Sequence, residues 1–113
     1  MSDCIFCSIA NKEIPSDIVY EDDKIVVFKD LGPVAPVHVL MIPKKHIEST
    51  QALTEEDLTL MGHMMGKVKE VADIMGLDKG YRLVVNCGED GMQTVKHLHI
   101  HIIGKRKLTW PPG

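Results

Sequence analysis

Residues 96–104 read Lys-His-Leu-His-Ile-His-Ile-Ile-Gly, so His97, His99 and His101 stand at alternate positions and half of the chain's six histidines fall within five residues. Residues two apart on a β-strand share a face. The spacing therefore predicts a strand over 97–103 with three imidazoles on one side and Leu98, Ile100 and Ile102 turned to a core. Regular apolar alternation fixes that register. Imidazole exists as neutral base and as cation near pH 7, which suits it to act as a nucleophile, an anion's partner or a metal ligand. One zinc held by all three is disfavoured. The outer two α-carbons lie roughly 13 Å apart on a strand, whereas zinc–nitrogen bonds are only about 2.0–2.1 Å. A pair could share a metal. Alternatively the row divides labour, with one imidazole attacking while a neighbour binds an anion.

The preceding stretch, Asn-Cys-Gly-Glu-Asp-Gly-Met-Gln-Thr at 86–94, adds glycines that let backbone N–H groups approach an anion and a Thr94 hydroxyl that donates. Beside the histidines it reads as a phosphate cradle. Near the N-terminus Cys4-x-x-Cys7 has the spacing of a metal or redox pair, and no βαβ unit precedes it to favour the redox reading.

These groups need a scaffold, and 113 residues with 44% hydrophobic content suffice for one domain, 1–113, with its own core. The stretch 4–15 reads as a short helical turn closed by Pro15. Ile18–Glu21 and Lys24–Lys29 form a β-hairpin about Asp22-Asp23, and Val37–Ile42 forms a strand that stops at Pro43. Residues 54–75 carry a helical pattern, with Thr54 and Asp57 as a capping box. Its apolar stripe is Leu58, Met61, Met65, Val68, Ala72 and Met75, and Gly76 ends it. Tyr81–Asn86 is a further strand. Strands on either side of one long helix, joined by short links, predict an α+β fold with an antiparallel sheet.

Composition narrows the function. No apolar run reaches the roughly 20 residues of a membrane span, and the first residues lack the pattern of a signal peptide. A net charge of −3 argues against nucleic acid as a partner, with Lys105-Arg106-Lys107 reading as a solvated strand end. Three cysteines without a secretory signal suit a reducing compartment, so a cytoplasmic location is expected.

The histidine row, with residues 28–47 (FKDLGPVAPVHVLMIPKKHI), 86–104 and the terminal Trp-Pro-Pro-Gly, resembles the nucleotide-binding branch of the histidine triad family over nearly the whole chain. The resemblance implies a five-stranded antiparallel sheet with one long and one short helix, the sheet extended across a homodimer. It also implies hydrolysis of purine nucleoside phosphoramidates with no catalytic cofactor. His99 would be the nucleophile, forming a nucleotidyl-histidine that water cleaves. His101 and Thr94 would contact phosphate oxygens; Thr94 stands where the family has serine, which keeps the hydroxyl and adds a methyl. His38 would lie near the leaving group, Asp30 would bind ribose hydroxyls, and Asn86 would sit near the ribose-phosphate. Ile9, Phe28 and Leu31 would line the base pocket, and Trp110 would reach the partner's site. Two further readings are a non-catalytic nucleotide-binding adaptor and a zinc-dependent hydrolase.

Cys4 and Cys7 resemble the zinc-bearing prokaryotic members, in which the matching partners are His46 and His97. The resemblance thus implies a structural zinc. Cys87 is assigned to a buried apolar position. The helical stripe, the resemblance and the tail together place residues 54–75 and 81–86 at a two-fold interface.

Overall fold

The computed structural model describes residues 3–113. Helix α1 (Ile5–Ala10) is followed by β1 (Ile18–Glu21), β2 (Ile25–Lys29) and β3 (Val37–Pro43), then by two 3-10 turns, Thr50–Ala52 and Glu55–Asp57. Helix α2 (Leu58–Ile74), β4 (Tyr81–Val84) and β5 (Ile100–Gly104) complete the chain. The strands form one antiparallel five-stranded sheet in the order β1-β2-β3-β5-β4, which is the expected α+β architecture.

Alternation along the central strands sorts the side chains between two layers. Ile25, Val27, Val39, Met41, Ile100 and Ile102 pack against Met64, Val68, Val71 and Ala72 of α2. Val26, Phe28, Leu40 and Ile42 face the other way, onto Phe6, Ile9 and Ala10 of α1. Both faces of β2 and β3 are therefore covered, which is why their sequences are continuous apolar runs. His99 and His101 belong to the α1 side, as their alternation with Ile100 and Ile102 requires.

Three boundaries differ from the sequence reading by two residues or more near the site and at the start of α2, each for a local reason, while β2, β3 and the end of α2 shift by one residue. Strand β5 begins at Ile100 rather than at His97, because its partner Met41 is two residues short of Pro43. Proline has no N–H to continue a ladder. Strand β4 stops at Val84, opposite His101. The capping box forms, with Asp57 Oδ2 accepting from the Thr54 N–H at 3.0 Å, but it closes a 3-10 turn and α2 starts at Leu58. Lys45 Nζ, 2.6 Å from Asp57 Oδ1, holds the carboxylate from the other side. The helix ends as expected: Gly76 takes φ 70°, and Leu77 N–H bonds Ala72 O at 2.9 Å in a Schellman arrangement.

The apolar face of α2 is wider than the stripe read from sequence. Met64 and Val71 fill its buried centre beside Val68 and Ala72, whereas Leu58 and Met65 are more than half exposed, at 59% and 56%. Sequence spacing marks which residues are apolar; packing decides which part of that arc meets the sheet. No described helix is long and apolar enough to cross a membrane.

Asp22 joins the β1–β2 turn to α2. Its Oδ1 accepts the N–H groups of Lys24 and Ile25 at 2.8 and 2.9 Å, and its Oδ2 accepts His63 Nε2 at 2.8 Å and Tyr20 Oη at 3.0 Å. Burial pushes this carboxyl up, but the four bonds outweigh it and bring the pKa to about 2. A depressed carboxylate contributes stability above its unfolded pKa and loses it as pH falls through the folded value. Asp22→Ala should therefore cost about 2 kcal/mol at neutral pH. In urea unfolding, the gap between variant and wild type should be constant above pH ~4 and close towards pH 2.

Candidate active site and metal cluster

A backbone carbonyl can only accept a hydrogen bond, so each carbonyl facing an imidazole reveals where that ring's hydrogen sits. His99 Nδ1 lies 2.7 Å from His97 O and donates to it. In the neutral ring, Nε2 is then the atom with the lone pair. His99 is buried, and the edge of Phe6 packs on it with ring centroids 5.1 Å apart.

The next two rings follow by the same logic. His38 Nδ1 accepts the Val34 N–H at 3.2 Å, which puts the His38 proton on Nε2. That nitrogen donates to His101 Nδ1 at 2.9 Å and has Asp30 Oδ2 3.4 Å away as a charge neighbour. His101 must then carry its own proton on Nε2. Burial, reinforced by His99 and His38, pushes the His101 pKa down to about 4. Burial also lowers His38, against an opposing pull from Asp30. The hydrogen bonds thus leave a lone pair on Nε2 of a neutral His99 ring, beside an Nε2–H donor on His101, with ring centroids 5.0 Å apart.

Both rings line a cleft of about 310 Å³. Ile9, Phe28, Leu31 and Leu40 are among its apolar walls, and Ser16, Lys29, Asp30 and Thr94 join the two histidines as its polar groups. Other expected site residues lie elsewhere. His38 does not line the cleft but stands behind His101, 7% exposed. Asn86 spends its amide on Gly91 O at 2.6 Å and so shapes the loop that delivers Thr94. Trp110 is exposed and sits 5.8 Å from the Arg82 guanidinium, away from this chain's cleft. Phe6 and Leu40 were not singled out from sequence. Leu40 carries a signal, since it is two residues from His38 on the same strand and so shares its face.

The loop's glycines serve its own turn. Gly88 takes φ 71° and its N–H donates to Gln93 Oε1 at 3.1 Å. A Cβ at Gly91 would lie 2.4 Å from Cys87 O, so only glycine fits. Cys87 is not the buried apolar residue expected. It is half-buried, and hydrogen bonds from the Thr50 and Ser49 side chains and the Gln51 backbone lower its thiol pKa.

Cys4, Cys7, His46 and His97 converge at the edge of this layer and could hold a metal ion. His97 Nδ1 lies 3.3 Å from Cys4 Sγ, 3.5 Å from Cys7 Sγ and 3.2 Å from His46 Nδ1, and His46 Nδ1 is 3.2 Å from Cys7 Sγ. Tetrahedral zinc with nitrogen and sulfur ligands has edges of about 3.3–3.8 Å. His97 Nε2 donates to Pro43 O at 2.8 Å, so its Nδ1 lone pair points at the centre of the four. The donor set thus fits zinc in size and in proton arrangement. Asp30, His38 and His101 also lie close together, but there the His38 Nε2 proton occupies the position a metal would need.

A family model described as "Scavenger mRNA decapping enzyme C-term binding" matches residues 3–109. A HIT-like protein of Synechocystis sp. is 53% identical over 111 residues, 98% of this chain and 97% of that protein. The HIT family hydrolase of Legionella pneumophila superposes with TM-score 0.95 at 45% identity, covering 98% of this chain and all of the other. The histidine triad protein of Clostridium difficile gives 0.92 at 47%, with 96% of each chain covered. The histidine triad nucleotide-binding protein of Candida albicans gives 0.80 at 31%, covering 98% of this chain and 85% of that one. Sequence and fold agree along almost the entire length, and the chain belongs to the histidine triad (HIT) family.

Proposed function

We propose that this chain, as one domain over 1–113, hydrolyses purine nucleoside 5′-phosphoramidates through a covalent nucleotidyl-histidine. The observation that carries the reading is the proton arrangement at the cleft: His99 presents a lone pair on Nε2 while His101 presents an N–H. The relatives named as HIT hydrolases and as a histidine triad nucleotide-binding protein support the same chemistry.

His99 Nε2 attacks the α-phosphorus, the P–N bond breaks with its electrons going to the amine, and the amine leaves with a proton drawn from solvent. Water then attacks the phosphorus of the nucleotidyl-histidine, regenerating His99 and releasing the nucleoside monophosphate. Dividing one displacement into two lets a neutral nitrogen nucleophile take the place of water in the first step. His101 Nε2–H and the Thr94 hydroxyl donate to the phosphate oxygens, where placed donors stabilise the charge that develops. Asp30 receives the ribose hydroxyls, with Ile9, Phe28 and Leu31 against the base. His38 and Asn86 act from behind, through His101 and through the loop.

In the same reading Cys4, Cys7, His46 and His97 bind a structural zinc, which supplies a cross-link between the N-terminal turn and the histidine row and no catalytic chemistry. Cysteines kept reduced agree with a cytoplasmic setting. The chain works as a homodimer. Leu58, Met65 and Ile74 of α2 and Tyr81 of β4 are large exposed apolar side chains, and β4 is an edge strand with one side unpaired in the sheet. An apolar edge of this kind is stabilised by pairing with a second copy, whose Trp110 would then reach the cleft.

Three measurements test this. His99→Ala should lower turnover of adenosine 5′-phosphoramidate by roughly 10³-fold or more while AMP affinity stays within a few-fold, because the nucleophile acts in the transition state. Wild-type rates from the variant would sink the assignment. Protein prepared with reductant and without chelator should contain one zinc per chain, and Cys7→Ser should lose it and melt at a lower temperature. Metal-free wild-type protein from such a preparation would refute the site. Light scattering should give a dimer mass at micromolar concentration and a monomer mass for Met65→Lys; a monomeric wild type would exclude the interface.

A further inference from the structure

We infer that His97 is a positioning residue that couples the Cys4–Cys7–His46–His97 cluster to the nucleophile His99. The inference rests on the proposed roles of the cluster and of His99. One residue belongs to both. Its ring closes the cluster, with Nδ1 3.3 Å from Cys4 Sγ and 3.2 Å from His46 Nδ1, and its backbone oxygen accepts the hydrogen bond of His99 Nδ1–H at 2.7 Å. That last bond decides which nitrogen His99 offers to the cleft.

The carbonyl of His97 is not held by the sheet. Strand β5 begins only at Ile100, and its partner β3 ends at Pro43. The segment before β5 is tethered instead by Leu98 N–H on Ile47 O at 2.7 Å, by His97 N–H on Val95 O at 2.9 Å and by the His97 ring itself. The ring is fixed at both nitrogens: Nε2 on Pro43 O at 2.8 Å, and Nδ1 in the cluster. Without the cluster one of those two attachments is gone, and the ring can turn about the other.

Phe6 supplies a second path to the same place. It lies between Cys4 and Cys7, and its ring meets both His97 and His99 edge-on, at centroid distances of 6.0 and 5.1 Å. The cysteines that complete the cluster therefore also hold the turn that presses Phe6 onto the nucleophile. His97 is fully buried, yet His46 is exposed, so the cluster can be opened at one corner with the cleft intact.

The test compares zinc-loaded wild type, chelator-treated wild type and His46→Asn, all well below their melting temperatures. His46 does not line the cleft. Long-range proton–nitrogen spectra of histidine-labelled protein read the His99 ring directly, independently of activity. The loaded protein should show one His99 form protonated at Nδ1, and the other two should show exchange-broadened or mixed forms. With adenosine 5′-phosphoramidate, kcat should fall roughly 10- to 100-fold, the range seen when groups supporting a ligand are lost, with KM within about two-fold. His46→Cys, which restores a four-ligand zinc set, should recover both readouts. Loss of metal with an unchanged His99 spectrum overturns the coupling, whatever happens to the rate. Complete loss of turnover on chelation with that spectrum unchanged would point to a catalytic metal, and it overturns the coupling too. If no form turns over substrate, the hydrolase reading fails on its own and the spectra still decide the coupling.

Discussion

The proton direction of two backbone carbonyls governs the chemistry of this site. Pro43 O accepts a hydrogen bond from His97 Nε2–H, and His97 O accepts one from His99 Nδ1–H. Neither oxygen has a proton to return, so each bond leaves the opposite ring nitrogen with a lone pair. One lone pair points into the sulfur and nitrogen cluster and the other is free for the cleft. The Val34 N–H does the reverse to His38: by donating to Nδ1 it forces the proton onto Nε2, and through that proton it gives His101 a donor. Identical side chains thus acquire different proton arrangements from the groups each one meets. The two carbonyls belong to residues at the frayed end of the β3–β5 ladder, where backbone groups are not consumed by strand pairing.

Neutral rings in these positions require burial as well as direction. His97, His99 and His38 are at most 7% exposed, in a layer built of Phe6, Phe28, Leu40 and Ile42. Desolvation disfavours the imidazolium, which is why burial is the leading cause of the depressed pKa values of His97, His38 and His101. A buried polar ring is tolerable only when its nitrogens are bonded, and no buried side-chain nitrogen or oxygen among the described residues lacks a partner. The apolar side of the sheet is therefore part of the chemistry: it keeps nitrogen lone pairs available that water would help to protonate.

Much of this was legible in the sequence because it depends on periods. The alternation at 97–103 fixed the shared face of His97, His99 and His101, and the apolar runs and Pro43 located β2 and β3 almost to the residue. The roles proposed for these residues come from the family resemblance. What was not legible depends on partners distant in the chain. Nothing local at His97 announces that its strand neighbour has ended at a proline 54 residues earlier. Nothing at His38 shows that Val34 and His101 will enclose it and keep it out of the cleft. Leu58 and Met65 are as apolar as Met64 and Val71, and only the docking of α2 on the sheet separates them. Cys87 looked apolar by residue type and turned out to be surrounded by donors from the Ser49–Gln51 turn.

Pro43 shows how one covalent constraint propagates through these levels. Its ring removes an N–H, and that ends the β3–β5 ladder opposite residue 98. The chain before Ile100 is thereby released from strand pairing and can bend, with Leu98 bonding Ile47 O instead. The bend brings the His97 ring beneath α1, where Cys4 and Cys7 meet it, while the proline's own carbonyl receives the ring's other nitrogen. An extended strand through 97–99 would keep the alternation of faces, but it would commit the His97 carbonyl to a ladder position. The His97 carbonyl that receives the His99 Nδ1–H lies just outside the ladder, so the break in regular structure and the proton arrangement of His99 belong to the same stretch of chain.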